Sequence, residues 1–194
     1  MDEDATGTEA IDHFWEVARQ HAELSGVPTY TGENPVSLLR PPAWAFGATP
    51  EQADRLLALV LDGTKTATAS SLADYEAEGE TLPEPGTLGI VLDGAGRPRA
   101  LLVTTEVSVA PFVEVDEAHA HAEGEGERTL ASWRREHERF FTEHSSAGFS
   151  PDMPVVLERF RVLYPCGVRR RRLVGRSRRP RPRRARARRR SRRR

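Results

Sequence analysis

The chain has 194 residues, enough for one ordinary domain with a buried core, and its formal net charge of zero hides two oppositely charged parts. All 29 acidic residues lie in residues 1–164 beside 12 basic ones, so this body carries a net charge of −17, whereas 17 arginines follow Pro165. One cysteine excludes an intramolecular disulfide framework, and no apolar run is long enough to span a bilayer. Because the acidic amino terminus also lacks the features of a signal peptide, we expect a cytoplasmic protein without a membrane partner.

The first 42 residues predict a helix followed by a loop. Residues 1–8 look disordered, and apolar residues then recur at three- and four-residue intervals from Glu9 to about Leu24, as in an amphipathic helix. Four prolines in residues 27–42 favour a connecting loop. The predicted organisation is an N-terminal helix and proline-rich loop at 1–42, a domain core at 43–164 and a disordered arginine-rich tail at 165–194.

The next stretch alternates between extended and helical patterns. Two aromatic residues share one side of a short extended segment, and Pro50 then opens a helix that Gly63 ends. After this helix, small hydroxyl and alanine side chains alternate as in a strand. The predicted elements are an extended segment at 43–47, a helix at 50–62, a strand at 66–71 and a short helix at 72–79.

The remaining body predicts a hairpin, two helical pieces and a closing strand. The predicted elements are hairpin strands at 87–93 and 98–111, helical pieces within 114–146 separated by a glycine-containing turn at 122–127, and a strand at 155–164. In the second hairpin strand, strict alternation predicts a core face with Leu101, Val103, Thr105, Val107 and Val109. Glu106 then lies on the opposite face, either solvated or pointing into a cleft.

This order of elements favours an α+β fold over a doubly wound parallel sheet. We expect a small, mostly antiparallel β-barrel of five or six strands with helices packed on its outside.

The stretch from Gly63 to Ser71 carries the most informative chemistry, because Lys65 is the single lysine of the protein. A buried ammonium can lose its proton, so Lys65 is a candidate base for a neighbouring threonine hydroxyl. The alternative is a surface lysine that complements the carboxyl end of the preceding helix. The glycine-interrupted turn could bring Glu123 or Glu125 to the same pocket.

Two further features have weaker functional signals. His119 and His121, followed by Glu125, match the metal-binding spacing of cupins, but two histidines at this spacing share a face only in a strand and this segment is predicted to be helical. We therefore predict no metal site. The arginine-rich tail would bind any polyanion through counterion release, or it has no selected function.

Seven motifs lie along the body of the chain. They are Trp44-Ala45-Phe46-Gly47, Leu59 to Ser70, Pro85-Gly86, Thr104-Thr105-Glu106-Val107, Ala122 to Glu127, Thr129-Leu130-x-x-Trp133-Arg134 and Asp152 to Tyr164. Together these motifs resemble the ASCH domain family, and the Gly-x-Lys-Thr-x-Thr element is the most specific part of the match. The resemblance covers roughly residues 10–164 apart from the proline-rich loop, and the tail has no counterpart in the family pattern.

The resemblance implies a PUA-like β-barrel with a cleft beside it. Family members include an amidohydrolase of N4-acetylcytidine and proposed ribonucleases or RNA-binding modules. In the amidohydrolase branch a lysine, a threonine three residues later and a glutamate act together, and these map onto Lys65, Thr68 and Glu125, with Glu123 as the other choice. That branch has an arginine two residues after the threonine, where this chain has Ser70.

Two functions follow from these observations. The first is a hydrolase of linear amide bonds in a modified nucleoside such as an N4-acylcytidine, in which Thr68 attacks, Lys65 accepts its proton and no metal or cofactor is required. The second is a noncatalytic RNA-binding module, with ribonuclease activity as a third possibility. The predicted substrate-contacting residues are Trp44, Phe46, Thr66, Ser70, Tyr75, Glu106 and Glu123, of which Trp44, Phe46 or Tyr75 would stack on a base and the tail would add nucleic-acid affinity.

Overall fold

The computed structural model describes residues 3–22 and 40–165, so most of the predicted loop and nearly all of the predicted tail lie outside the described residues. Within these ranges the chain forms five α-helices and five strands. The helices are α1 (Glu3–His21), α2 (Pro50–Leu61), α3 (Leu72–Glu78), α4 (Glu117–Glu123) and α5 (Leu130–His144). The strands are β1 (Ala43–Trp44), β2 (Ala67–Ser71), β3 (Leu88–Leu92), β4 (Pro98–Pro111) and β5 (Pro154–Tyr164), and a 3-10 turn spans Phe112–Glu114.

Local sequence signals set most helix ends. Thr49 caps α2 by accepting a hydrogen bond from the Gln52 N–H at 3.3 Å, and Thr129 caps α5 in the same way. The start of α1 differs from the prediction, since the helix begins at Glu3 although residues 1–8 were expected to be disordered. Once the apolar face of a helix is packed, extending it by further residues costs little compared with nucleating it.

The five strands form one sheet in the order β1-β3-β4-β5-β2. The pair β1 and β3 is parallel, whereas the other three pairs are antiparallel, so the sheet is mixed. The expectation of a barrel is corrected here, because β1 and β2 lie at opposite edges and do not pair. Closure needs a continuous ring of strand pairs, and the two-residue β1 offers little backbone for another pair.

Helices cover both faces of the sheet. On one face, Trp15 and Ala18 of α1 pack against Leu101 and Val103 of β4. On the other face, residues of α2 pack against Leu102 of β4. The first half of β4 is therefore buried on both faces, which strict alternation of core and solvent positions did not predict.

A β-bulge changes which residues face the core in the second half of β4, so the predicted alternation is wrong there. Thr104 is paired with Phe160, but the next paired residue is Glu106, so Thr105 is an extra residue in β4. One inserted residue exchanges the two faces of all residues that follow. Val107 and Val109 therefore do not share a face with the core residues Leu101 and Val103, and Val109 is 47% exposed.

None of the helices in the described ranges has the length and apolar character needed to cross a membrane.

Candidate active site

The turn after α2 places Lys65 two residues before β2. Gly63 has a φ of +79°, and the N–H groups of Thr64 and Lys65 both donate to the Leu59 carbonyl at 2.9 Å, which ends the helix tightly. The Lys65 side chain is 1% exposed, and its Nζ lies 5.2 Å from the centre of the Phe46 ring. The alternative of a surface lysine is therefore wrong.

Two carboxylates hold the buried Lys65 ammonium. Its Nζ donates to Glu125 Oε1 at 2.7 Å and to Glu123 Oε2 at 3.1 Å. The two glutamates differ in exposure, because the Glu123 side chain is 1% exposed whereas that of Glu125 is 30% exposed. Both glutamates considered from the sequence thus contact Lys65, and Glu125 is the one with access to solvent.

Gly124 allows the turn between these glutamates to approach Lys65. It has a φ of +75°, and a Cβ at this position would lie 2.7 Å from the Thr64 carbonyl oxygen. The Thr66 N–H also donates to the Ala122 carbonyl at 2.8 Å, which ties the start of β2 to the end of α4. A glycine is therefore required by both the backbone conformation and the close approach.

Glu123 is the centre of a buried polar cluster. Its Oε1 accepts a hydrogen bond from Trp133 Nε1 at 2.7 Å and lies 3.3 Å from His119 Nε2. Its Oε2 contacts Lys65 and lies 3.4 Å from His137 Nε2. This carboxylate has partners from two helices as well as from Lys65, so it acts as a fixed anchor of the site.

The charges in this cluster support one another. Burial disfavours the charged form of Lys65, but Glu123 and Glu125 outweigh it and raise the pKa of Lys65 above its ordinary 10.5. Burial would likewise raise the pKa of Glu123, yet Lys65 and His137 hold it well below its ordinary value. Lys65 is therefore a protonated ammonium at neutral pH, which differs from the neutral amine that burial alone predicts.

His137 makes the stability of this cluster pH-dependent. Burial opposes its charge, but the Glu123 carboxylate raises the pKa of His137 above its ordinary 6.5. A raised folded-state pKa adds stability below pH 6.5, and this contribution is lost as the pH rises through the folded-state value.

We expect the free energy of unfolding to fall across that window in the native protein but less in the His137→Gln variant, measured by denaturant unfolding from pH 5 to 9. Equal slopes in both proteins would contradict this coupling.

A pocket of about 140 Å³ opens beside the cluster at the edge of the sheet. It contains all three residues predicted to be catalytic, namely Lys65, Thr68 and Glu125, together with the predicted contacts Phe46 and Glu123. Residues at the pocket that the sequence did not single out as site residues include His137, Phe140, Arg55 and Arg139. His137 and Phe140 lie in α5, within the helical pieces predicted at 114–146, and nothing local to the sequence indicates that this helix borders Lys65.

The other predicted substrate contacts do not line this pocket. Trp44 is 37% exposed and packs edge-on against Phe46, with ring centres 4.5 Å apart. The Thr66 hydroxyl donates to the Ala122 carbonyl at 3.4 Å. Tyr75 lies beside Ser70 and Glu158, and Glu106 lines a separate pocket of about 460 Å³ between β4, β5 and α4. Of the three aromatics proposed to stack on a base, Trp44 is exposed, whereas Phe46 is buried.

The two histidines of the cupin-like spacing lie in helix α4 and have different surroundings. His119 is buried against Glu123, whereas His121 is exposed and its Nδ1 lies 3.2 Å from Arg128. Within residues 3–22 and 40–165, no three His, Cys, Asp or Glu side chains are arranged to hold a metal ion.

Comparison with known proteins identifies the family. The family model of the ASCH domain matches residues 42–164. A crystal structure of a protein from Enterococcus faecalis V583 is similar at 36% identity and a TM-score of 0.65, over 80% of this chain and 88% of that one. The ASCH domain of Lactobacillus crispatus JV V101 is similar at 29% identity and a TM-score of 0.66, over 80% and 94% of the two chains. No curated protein sequence matches. The chain, with its Lys65 element at the edge of the sheet, therefore belongs to the ASCH domain family.

Proposed function

We propose that this protein hydrolyses the amide bond of a modified nucleoside such as an N4-acylcytidine. The observation that carries this proposal is that Lys65, Thr68 and Glu125 line one pocket. In amide hydrolysis a hydroxyl can act as the nucleophile, a fixed positive charge can stabilise the oxyanion and a carboxylate can hold that charge in position, and none of these roles needs a metal.

In this proposal Thr68 is the nucleophile and Lys65 stabilises charge. The Thr68 hydroxyl gives its proton to a general base as its oxygen attacks the acyl carbon, and negative charge develops on the carbonyl oxygen in the tetrahedral intermediate. The protonated Lys65 is held by two carboxylates, so it can donate a hydrogen bond to that oxygen without reorganising. Because the pKa of Lys65 is raised, this role replaces the proton-accepting role inferred from the sequence.

Glu125 keeps the ammonium pointed toward the substrate. It makes the shorter of the two contacts with Lys65 and is partly exposed, whereas Glu123 is enclosed by Trp133 and His137. Glu125 can therefore meet a substrate, while Glu123 supports the site from behind.

The pocket favours a small substrate. A volume of about 140 Å³ is below the usual range of roughly 300–1,000 Å³ for ligand pockets, so it suits an acyl group and the edge of a base. Phe46 and Phe140 provide aromatic surface for such a ring. The body charge of −17 repels a long polyanion and therefore favours a neutral nucleoside.

The test is hydrolysis of a panel of N4-acylcytidines by the full-length protein, followed as release of cytidine. Glu125→Gln is expected to lower kcat/KM by about 10²-fold, because a misplaced catalytic group costs that much. Its stability should change little, since Glu125 is partly exposed and Glu123 still pairs with Lys65. Glu127→Gln, an exposed change in the same turn, is the matched control and should retain full activity.

Absence of hydrolysis by the native protein across the panel would contradict the proposal. It would instead favour the noncatalytic RNA-binding alternative, which is measured as RNA affinity with and without residues 165–194.

A further inference from the structure

Glu158 of β5 lies directly opposite Thr68 on the adjacent strand β2. Their Cα atoms are register partners in the antiparallel pair of β2 and β5. Side chains of directly opposed residues project from the same face, with Cβ atoms about 4.5–5.5 Å apart. A glutamate opposite a threonine at that spacing can reach its hydroxyl.

The Glu158 carboxylate has neutral partners. Its Oε2 accepts a hydrogen bond from the Thr104 hydroxyl at 3.2 Å, and its Oε1 accepts one from the Tyr75 hydroxyl at 3.5 Å. In the described part of the chain, no lysine, arginine or histidine forms an ion pair with it. A carboxylate has about four acceptor positions, so these two hydrogen bonds leave room for a third donor.

This environment makes Glu158 a stronger base than the buried Glu123. Burial raises the pKa of Glu158 above its ordinary value, and the hydrogen bonds from Thr104 and Tyr75 offset this only in part. Glu123 is instead paired with the Lys65 ammonium, which helps to hold the pKa of its carboxyl well below the ordinary value and so weakens it as a proton acceptor.

The neighbouring titratable group in contact with Glu158 stays neutral. Burial, together with the Glu158 carboxylate, raises the pKa of Tyr75 to about 12, and Glu80 adds a smaller effect in the same direction. Tyr75 therefore donates a hydrogen bond throughout the physiological range and does not compete for the proton of Thr68.

We propose that Glu158 accepts the proton of the Thr68 hydroxyl during amide hydrolysis, an inference that rests on the proposed function. The Thr68 O–H bond breaks as its oxygen bonds to the acyl carbon, and the carbonyl electron pair moves onto the oxygen held by Lys65. When the C–N bond breaks, the leaving nitrogen takes the proton from Glu158. Water then attacks the Thr68 ester and passes a proton to Glu158, which returns it to Thr68 as the carboxylic acid leaves.

The kinetic test compares native protein, Glu158→Gln and Thr104→Val. Glu158→Gln should lower kcat by about 10²–10⁴-fold and abolish the acidic limb of the kcat/KM profile against pH. Thr104→Val removes a hydrogen bond that lowers the pKa of Glu158, so its acidic limb should move to higher pH. If Glu158 had a merely structural role, the acidic limb would stay in place in both variants. An unchanged acidic limb in Glu158→Gln overturns the inference.

A second measurement needs no substrate. The carboxyl carbon of Glu158, assigned with the Glu158→Gln variant, is titrated by NMR in the full-length native protein and in Thr68→Val. Loss of the hydroxyl should raise the pKa of Glu158, whereas an unchanged titration overturns the inference. If the native protein hydrolyses no amide in the panel, the proposed function fails on its own, and this titration still decides whether Glu158 and Thr68 interact.

Discussion

Replacing Thr68 with valine is expected to lower kcat for amide hydrolysis by at least about 10³-fold, because the substitution removes the nucleophile and keeps its shape. Thr68 lies in β2 and lines the pocket with Lys65. Valine is also β-branched and suits a strand, so the free energy of unfolding should change by no more than about 1 kcal/mol. The measurements are steady-state kinetics on N4-acylcytidines and denaturant unfolding.

The control for this variant is Thr142→Val on the exposed side of α5. Its hydroxyl donates to the Glu138 carbonyl within the helix, and Thr142 does not line the pocket. The control should retain native activity. If Thr68→Val kept half of the native rate, attack by water without a threonine ester would replace the proposed mechanism.

Replacing Lys65 with methionine is expected to destabilise the protein by about 3–5 kcal/mol. Lys65 and Glu123 are both 1% exposed, so the variant leaves a carboxylate buried without its ammonium partner. The measurement is the free energy of unfolding from denaturant titration at neutral pH. A loss below about 1 kcal/mol would show that His137 and Trp133 alone satisfy Glu123.

A double-mutant cycle measures the direct interaction between Lys65 and Glu123, apart from the contacts that each makes with other residues. Glu123→Gln alone leaves the Lys65 ammonium with Glu125, whereas combining it with Lys65→Met removes both buried charges. The double variant should therefore be more stable than the sum of the two single losses predicts. Additive losses would contradict a direct interaction between Lys65 and Glu123.

Local patterns predicted the elements well because the signals that carry them are short-range. Pro50 and Gly63 marked α2, and the hairpin predicted at 87–93 and 98–111 corresponds to β3 and β4. Each depends on backbone geometry within a few residues, which no distant contact needs to supply.

The sheet was harder to predict because its form depends on long-range pairing. The extra residue Thr105 has no sequence signature, yet it exchanges the faces of Val107 and Val109 relative to Leu101. The open, mixed sheet likewise depends on the parallel pairing of β1 with β3, two segments more than 40 residues apart along the chain.

The amino-acid sequence was enough to predict the order of the elements and the family resemblance, and it named Lys65, Thr68 and the glutamates around Gly124 as candidate site residues. The raised pKa of Lys65 and the position of Glu158 opposite Thr68 follow only from the folded structure. A pKa depends on which charges surround a buried group, and the charges around Lys65 come from α4 and the turn that follows it.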